Sequence, residues 1–147
     1  MQIRCPKCSC TMIQQEIDGV VLDQCTQCGG LWAEKNELAR LTGSDGNLRS
    51  TYGEREDSKL PCPSGCASTL LETRYSNLDD TLMLDLCDEC GGVFLDEGEL
   101  EQVFKLNDRI RELFGDGTFS RSTPGTKRML KLRRLFRRFW GGGSKEQ

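Results

Sequence analysis

Ile13, Ile17, Val20 and Leu22 stand among polar residues on either side of Asp18-Gly19. Asp-Gly between two such runs is the favoured two-residue turn, because both turn positions need positive φ. The pattern therefore predicts a β-hairpin that leads into Cys25. Glu34 to Leu41 reads as a short helix, with Leu38 and Leu41 on one side and Gly43 just past its end. Farther on, Thr69 to Tyr75 and Thr81 to Leu86 are strand-like and flank the turn-forming residues 76–80. Leu100, Val103, Phe104, Ile110, Leu113 and Phe114 then include several i,i+3 and i,i+4 pairs, which predicts a longer helix stopped by Gly115. Leu106 lies off that stripe, so the helix should be buried on one broad face. A last amphipathic segment runs from Lys127 to Trp140.

The polar, glycine-containing stretches between these elements divide the chain. The expected organisation is a first unit at 1–42, a linker at 43–60, a second unit at 61–114, and a linker at 115–126. A helix at 127–140 and a disordered tail at 141–147 complete it. The two units are copies: DQCTQCGGLWAEKNEL (23–38) aligns without a gap on DLCDECGGVFLDEGEL (85–100) at an offset of 62. Upstream of each block sits another cysteine pair whose first member precedes proline, Cys5-Pro-Lys-Cys8 and Cys62-Pro-Ser-Gly-Cys66. A repeat at fixed period marks two structural units, each too small for a hydrophobic core alone to hold.

Eight of the nine cysteines thus form two quartets: Cys5, Cys8, Cys25 and Cys28, then Cys62, Cys66, Cys87 and Cys90. The pairs are separated by 16 residues in the first unit and 20 in the second, in or next to the zinc-ribbon range. Zn2+ takes four ligands at tetrahedral corners and accepts thiolate readily, so two zinc ions are the expected cofactors. An all-sulfur tetrahedral site also suits iron. A redox Cys-x-x-Cys belongs in a βαβ context, and none is visible. Gly29 and Gly91, each after its unit's last cysteine, let the turn close through positive φ. The extra residue between Cys62 and Cys66 loosens the second unit's first knuckle, and Cys10 reads as a spare small residue beside the first.

Each unit resembles the bacterial TFIIB-type zinc-ribbon domain, in which Cys-Pro-x-Cys is followed four residues on by Leu or Met. A Cys-x-x-Cys-Gly-Gly-hydrophobic-Trp/Phe block ending in Glu-Leu then completes the pattern. Met12 and Leu70 fill the first place, and residues 29–38 and 91–100 the second, with Asn36 where the second copy has Gly98. The resemblance covers about two thirds of the chain and implies zinc binding, with transcription-related or nucleic-acid-linked binding as the associated role. Trp32 and Phe94 are expected to cover the back of the metal knuckle and pack on the following helix. Glu37 and Glu99 are expected to be helix-surface or capping residues.

Charge changes the picture at the C-terminal end. Residues 1–116 hold 11 Lys+Arg against 22 Asp+Glu, a balance of −11, whereas residues 117–147 carry +8. In the segment 127–140, Met129, Leu132, Leu135, Phe136, Phe139 and Trp140 share one helical face, and Lys131, Arg134, Arg137 and Arg138 lie on the other. The candidate partner-binding residues are Lys131, Arg134, Arg137, Arg138, Phe136, Phe139 and Trp140. Such a helix can lie on an anionic membrane surface, dock in a partner's apolar groove, grip nucleic-acid phosphates, or fold back on the acidic half.

The chain contains no histidine, which removes the commonest general base. With four protein ligands per metal there is no open coordination position. The reading is a small metal-stabilised α+β protein: two tandem zinc ribbons, each a β-hairpin plus helix, followed by a basic amphipathic helix. Its expected role is that of a non-enzymatic module without a small-molecule substrate, a transcription-related or nucleic-acid-linked regulator whose partners are protein, the transcription machinery or nucleic acid. The alternative is a peripheral adaptor held by its tail at an anionic membrane or a partner groove. Reduced cysteines and the absence of a signal peptide predict a cytoplasmic location.

Overall fold

The computed structural model describes residues 2–43, 55–76 and 78–115. In chain order the elements are β1 (Ile13–Ile17), β2 (Val20–Gln24), β3 (Leu31–Ala33), α1 (Glu37–Thr42), β4 (Glu56–Pro61), β5 (Thr69–Ser76), β6 (Asp79–Leu86), β7 (Val93–Leu95) and α2 (Glu99–Phe114). Asp18 and Gly19 both have positive φ, 49° and 80°, and Ile17 pairs with Val20 across them. This is the two-residue turn the Asp-Gly pair predicts. The second hairpin closes more tightly than expected, because β6 begins at Asp79 rather than Thr81. There the Asp79 carboxylate accepts from the Thr81 backbone N–H at 2.8 Å, a local bond that favours a turn.

All seven strands form one antiparallel sheet in the order β1-β2-β3-β7-β6-β5-β4. The two copies are therefore joined edge to edge through β3 and β7. Their register is Leu31↔Leu95, Trp32↔Phe94 and Ala33↔Val93. Shifting each residue by the repeat offset of 62 turns the first pair into the third and leaves the middle one unchanged. A pseudo-two-fold axis consequently passes between Trp32 and Phe94, and the chain has the form of a dimer built from one polypeptide.

Side-chain alternation along the strands sorts the interior into two layers. On one face Leu22, Leu31, Ala33, Leu84, Val93 and Leu95 pack beneath both helices, with Leu38 and Leu41 from α1 and Leu100, Val103, Phe104 and Leu106 from α2. On the other face Trp32, Phe94, Met12 and Leu70 pack among the cysteines. Leu106 is buried, as the broad-face reading of α2 requires, whereas Leu113 and Phe114 are 60% and 65% exposed where the helix runs past the sheet.

Three features differ from the sequence pattern. α1 starts at Glu37 rather than Glu34, because Asn36 adopts a left-handed conformation (φ 69°) that interrupts the helix. Each unit has a third strand, β3 or β7, directly after its last knuckle. β4 lies in the stretch read as linker and pairs with β5 through Glu56↔Glu72 and Asp57↔Leu71. Of the regions read as linkers and tail, residues 44–54 and 116–147 lie outside the described residues, and with them the whole segment 127–140.

Candidate metal centres

Each cysteine pair sits on a turn that folds back on itself. In the first unit, the Cys25 N–H donates to Gly30 O at 2.8 Å and the Gly29 N–H donates to Cys25 O at 3.0 Å. In the second, Cys87 and Gly91 donate equivalently to Gly92 O and Cys87 O at 2.9 and 2.8 Å. Gly29 and Gly91 both have φ 77°, so the glycine after each unit's last cysteine does supply the left-handed residue that the turn needs. The extra residue in Cys62-Pro-Ser-Gly-Cys66 is absorbed by Gly65 at φ 88°, whose N–H donates to Cys62 O at 3.0 Å. The longer knuckle thereby keeps its fourth ligand in place.

These turns gather Cys5, Cys8, Cys25 and Cys28 into one cluster and Cys62, Cys66, Cys87 and Cys90 into another. The four sulfurs of each lie within 4.8 Å of one another. Cys5 and Cys28 Sγ are 3.6 Å apart, and Cys62 and Cys90 Sγ 3.7 Å. Four thiolates bound tetrahedrally to zinc lie about 3.8 Å from one another, from a Zn–S length of about 2.3 Å. The donor sets fit the ion. Backbone N–H groups point at the sulfurs as well: Cys8 at Cys5, Cys28 at Cys25, and Gly30 and Gly92 at Cys28 and Cys90, each at 3.4 Å. Such donors hold thiolate orientation and disperse its charge.

The electrostatics ask for a cation at each centre. Burial pushes the Cys5 and Cys62 thiols up to about 11. Burial and the neighbouring Cys28 sulfur push Cys8 up to about 12. Burial and the adjoining sulfurs raise Cys66 too. Cys25 and Cys87 move the other way: burial opposes their ionisation, but backbone N–H groups and the adjacent sulfurs outweigh it. Four clustered thiols cannot all ionise unaided, and a divalent metal would displace their protons and set metal uptake against acid.

The aromatic residues reach across to each other's knuckles. A Cβ on Gly30 would run into the Phe94 ring, and one on Gly92 into the Trp32 indole. Each aromatic thus lies against the second glycine of the opposite unit's pair, on the sheet face away from the helices. This corrects the expectation that Trp32 and Phe94 pack on the following helix: their strand neighbours Leu31, Ala33, Val93 and Leu95 take that face, and alternation sends the rings to the other. Polar contacts repeat the exchange. Trp32 Nε1 donates to Ser64 Oγ at 3.2 Å, while Lys7 pairs with Asp96 and lies 5.9 Å from the Phe94 ring centre. Lys7 and Ser64 both occupy the second position after the first cysteine of their unit, one knuckle reaching each way.

Glu37 and Glu99 act locally, on the turn before each helix rather than as its N-cap. Glu37 Oε2 accepts from Glu34 N–H and Glu99 Oε2 from Asp96 N–H, both at 2.7 Å, so each first helical residue closes the turn that leads into its own helix. Burial raises the Glu99 carboxyl to about 7, helped by Asp96 and Asp85 and opposed by the Asp96 N–H and Lys7. Asp85 is raised to about 6 by burial and by Asp96, against Lys7. Cys10 stands outside the cluster with its thiol 2.7 Å from Gln27 Oε1. The partner-binding candidates Lys131, Arg134, Phe136, Arg137, Arg138, Phe139 and Trp140 lie outside the described residues.

Hairpin-borne cysteine knuckles closing on one tetrahedral site define a zinc ribbon, present here twice. The transcription factor zinc-finger family, the TFIIB-type zinc ribbon, matches residues 4–43 and 61–105. That is more than half of the chain, which belongs to this family. Each quartet is accordingly a zinc site, giving two ions per chain. Comparison with curated proteins and with solved structures returns no match. A zinc-binding role linked to nucleic acid or transcription is the role this family suggests.

Proposed function

We propose that the chain is a non-enzymatic regulator acting on the transcription machinery, in which the fused ribbons contact protein and the basic segment 127–140 supplies the contact with an anionic partner. The charge division carries this reading. Residues 1–116 have a balance of −11, and each zinc held by four thiolates adds −2. A surface of that sign repels phosphate, so the folded body is suited to a protein partner. The +8 of residues 117–147 is suited to phosphate or another anionic surface. Closed coordination by four protein ligands keeps each metal structural. Affinity capture from nuclease-treated lysate, comparing the full chain with one stopped at residue 116, tests the division. RNA polymerase retained by both forms is the expected result. Retention of membrane, or of a single unrelated protein, by the full chain alone would replace this reading with that of a tail-held adaptor.

A further inference from the structure

The repeat copies more than its cysteines. At the offset of 62, Asp23, Glu34 and Glu37 of the first unit become Asp85, Asp96 and Glu99 of the second. Each triad stands beside its own unit's aromatic residue, since Asp23 is opposite Trp32 and Asp85 opposite Phe94 in the sheet. Within each triad the carboxylates act on one another: Glu34 on Asp23, Glu34 and Asp23 on Glu37, and Asp96 and Asp85 on Glu99. The two clusters share one construction.

They differ in what they hold. In the second unit the ammonium of Lys7, reaching over from the opposite knuckle, pairs with Asp96 and lies 5.9 Å from the Phe94 ring centre. The charges of Asp85 and Glu99 act on the same ammonium. For the first unit Ser64 stands in the place of Lys7, with its hydroxyl engaged by Trp32 Nε1. Among the described residues no lysine or arginine forms an ion pair with Asp23, Glu34 or Glu37. Arg40 acts on Glu37 from one turn along α1 without pairing with it. Glu34 is exposed, and Asp23 and Glu37 are partly so, which leaves the cluster open to solvent. Three neighbouring carboxylates repel one another, and a cation among them relieves that repulsion.

We propose that Asp23, Glu34 and Glu37 form a socket for a lysine side chain of a partner protein, which enters beside Trp32 as Lys7 enters beside Phe94. The inference rests on the reading of the folded body as a protein-binding surface, and it names the chemistry that surface selects. Lys7 shows what this construction holds: one ammonium among carboxylates, within reach of an aromatic ring. A partner lysine would meet the same arrangement from outside. The contact that ties the first knuckle to the second unit is thereby reused, in the other copy, to recognise a second protein.

The probe is Nα-acetyl-lysine methylamide, titrated into the isotope-labelled, zinc-loaded full chain while the side-chain carboxyl carbons are observed by NMR. Asp23, Glu34 and Glu37 are expected to shift together and saturate, whereas the same compound acetylated on Nζ should leave them unmoved. Glu34→Gln should weaken binding by about fivefold, the loss expected of one part-exposed ion pair. Ser64→Lys places an ammonium at the position Lys7 has in the other copy. It should shift the three carboxyls without ligand and abolish binding of the probe, with both zinc ions retained. Equal response to the two compounds would overturn the proposal, and so would shifts of one size at carboxylates all over the acidic body. Socket signals that move when the chain is stopped at residue 116 would overturn it too, since the occupant would then be the chain's own basic end. In affinity capture, RNA polymerase held as well by Glu34→Gln as by the parent would sink the socket and leave the wider reading standing. Probe binding by a parent chain that captures no polymerase would do the reverse. If Ser64→Lys loses zinc, the acetylated compound decides the matter.

Discussion

Gly30 and Gly92 set how closely the two copies approach, because each leaves room for the other unit's aromatic ring. Gly30→Ala should destabilise the zinc-loaded protein by about 1–3 kcal/mol, the usual cost of overpacking. The partner of that strain is Phe94 rather than Trp32. A double-mutant cycle in thermal or denaturant melts should therefore show Gly30→Ala strongly coupled to Phe94→Leu and nearly additive with Trp32→Phe. The reverse pattern would contradict the exchange of rings across the axis. A second residue departs from the symmetry. Gln24 is buried with neither amide atom hydrogen-bonded, where the other copy has Leu86. A buried, unpaired amide costs on the order of 1–3 kcal/mol, so Gln24→Leu should raise stability by about 1–2 kcal/mol. A lower melting midpoint would mean that the amide serves a purpose the apolar residue cannot meet.

At the scale of elements, the turn that leads into α2 couples acid chemistry to stability. Glu99 closes the turn before α2 from a half-buried position beside Asp96, Asp85 and Lys7, and burial pushes its carboxyl up from 4.5 to about 7. Because the folded state raises this value, its contribution is complete below about 4.5 and is lost as pH rises through about 7. Glu99→Gln keeps an oxygen for the Asp96 N–H and has no charge to bury. The variant should therefore gain on the parent between pH 5 and 8, and the difference cancels the pH dependence that both inherit from zinc. Chemical denaturation at several pH values measures it, and a constant difference would sink the argument. The elements that carry such local chemistry were legible in the sequence. Asp18-Gly19 requires positive φ twice, α2 shows its apolar spacing over four turns, and the eight paired cysteines fix both centres. The elements that join the copies were not. β3 and β7 have three residues each, too few for alternation to register, and their pairing is 62 residues long-range. β4 is hidden by its charge and by the left-handed Lys59 (φ 62°), which breaks the ladder. The ring exchange left no local signal either, although the Gly-Gly before each aromatic is its trace.

At the scale of the molecule, fusion of the copies means that neither ribbon is complete alone. Zinc binding folds a ribbon with a gain on the order of 10 kcal/mol, so residues 1–43 should still load one ion. They would then present β3 as an unpaired edge and Trp32 as an uncovered ring, both of which drive association. The internal register shows what satisfies them: β3 pairs antiparallel with its counterpart, and the ring lies on the second glycine of the opposite unit's pair. The isolated half is therefore expected to form a homodimer in which Trp32 faces Trp32 of the second copy. When mixed with residues 55–115 it should prefer the heterologous pairing, because Lys7 then regains Asp96 and Trp32 regains Ser64. Sedimentation of the zinc-loaded half, alone and with its complement, tests both steps. A folded monomer at tens of micromolar would show that the ribbons are independent and that β3–β7 contact adds little. A homodimer undisturbed by the complement would show that the two copies have not diverged enough for their contacts to discriminate. Conversion to a one-to-one complex would establish that duplication has turned a subunit interface into the centre of a single fold.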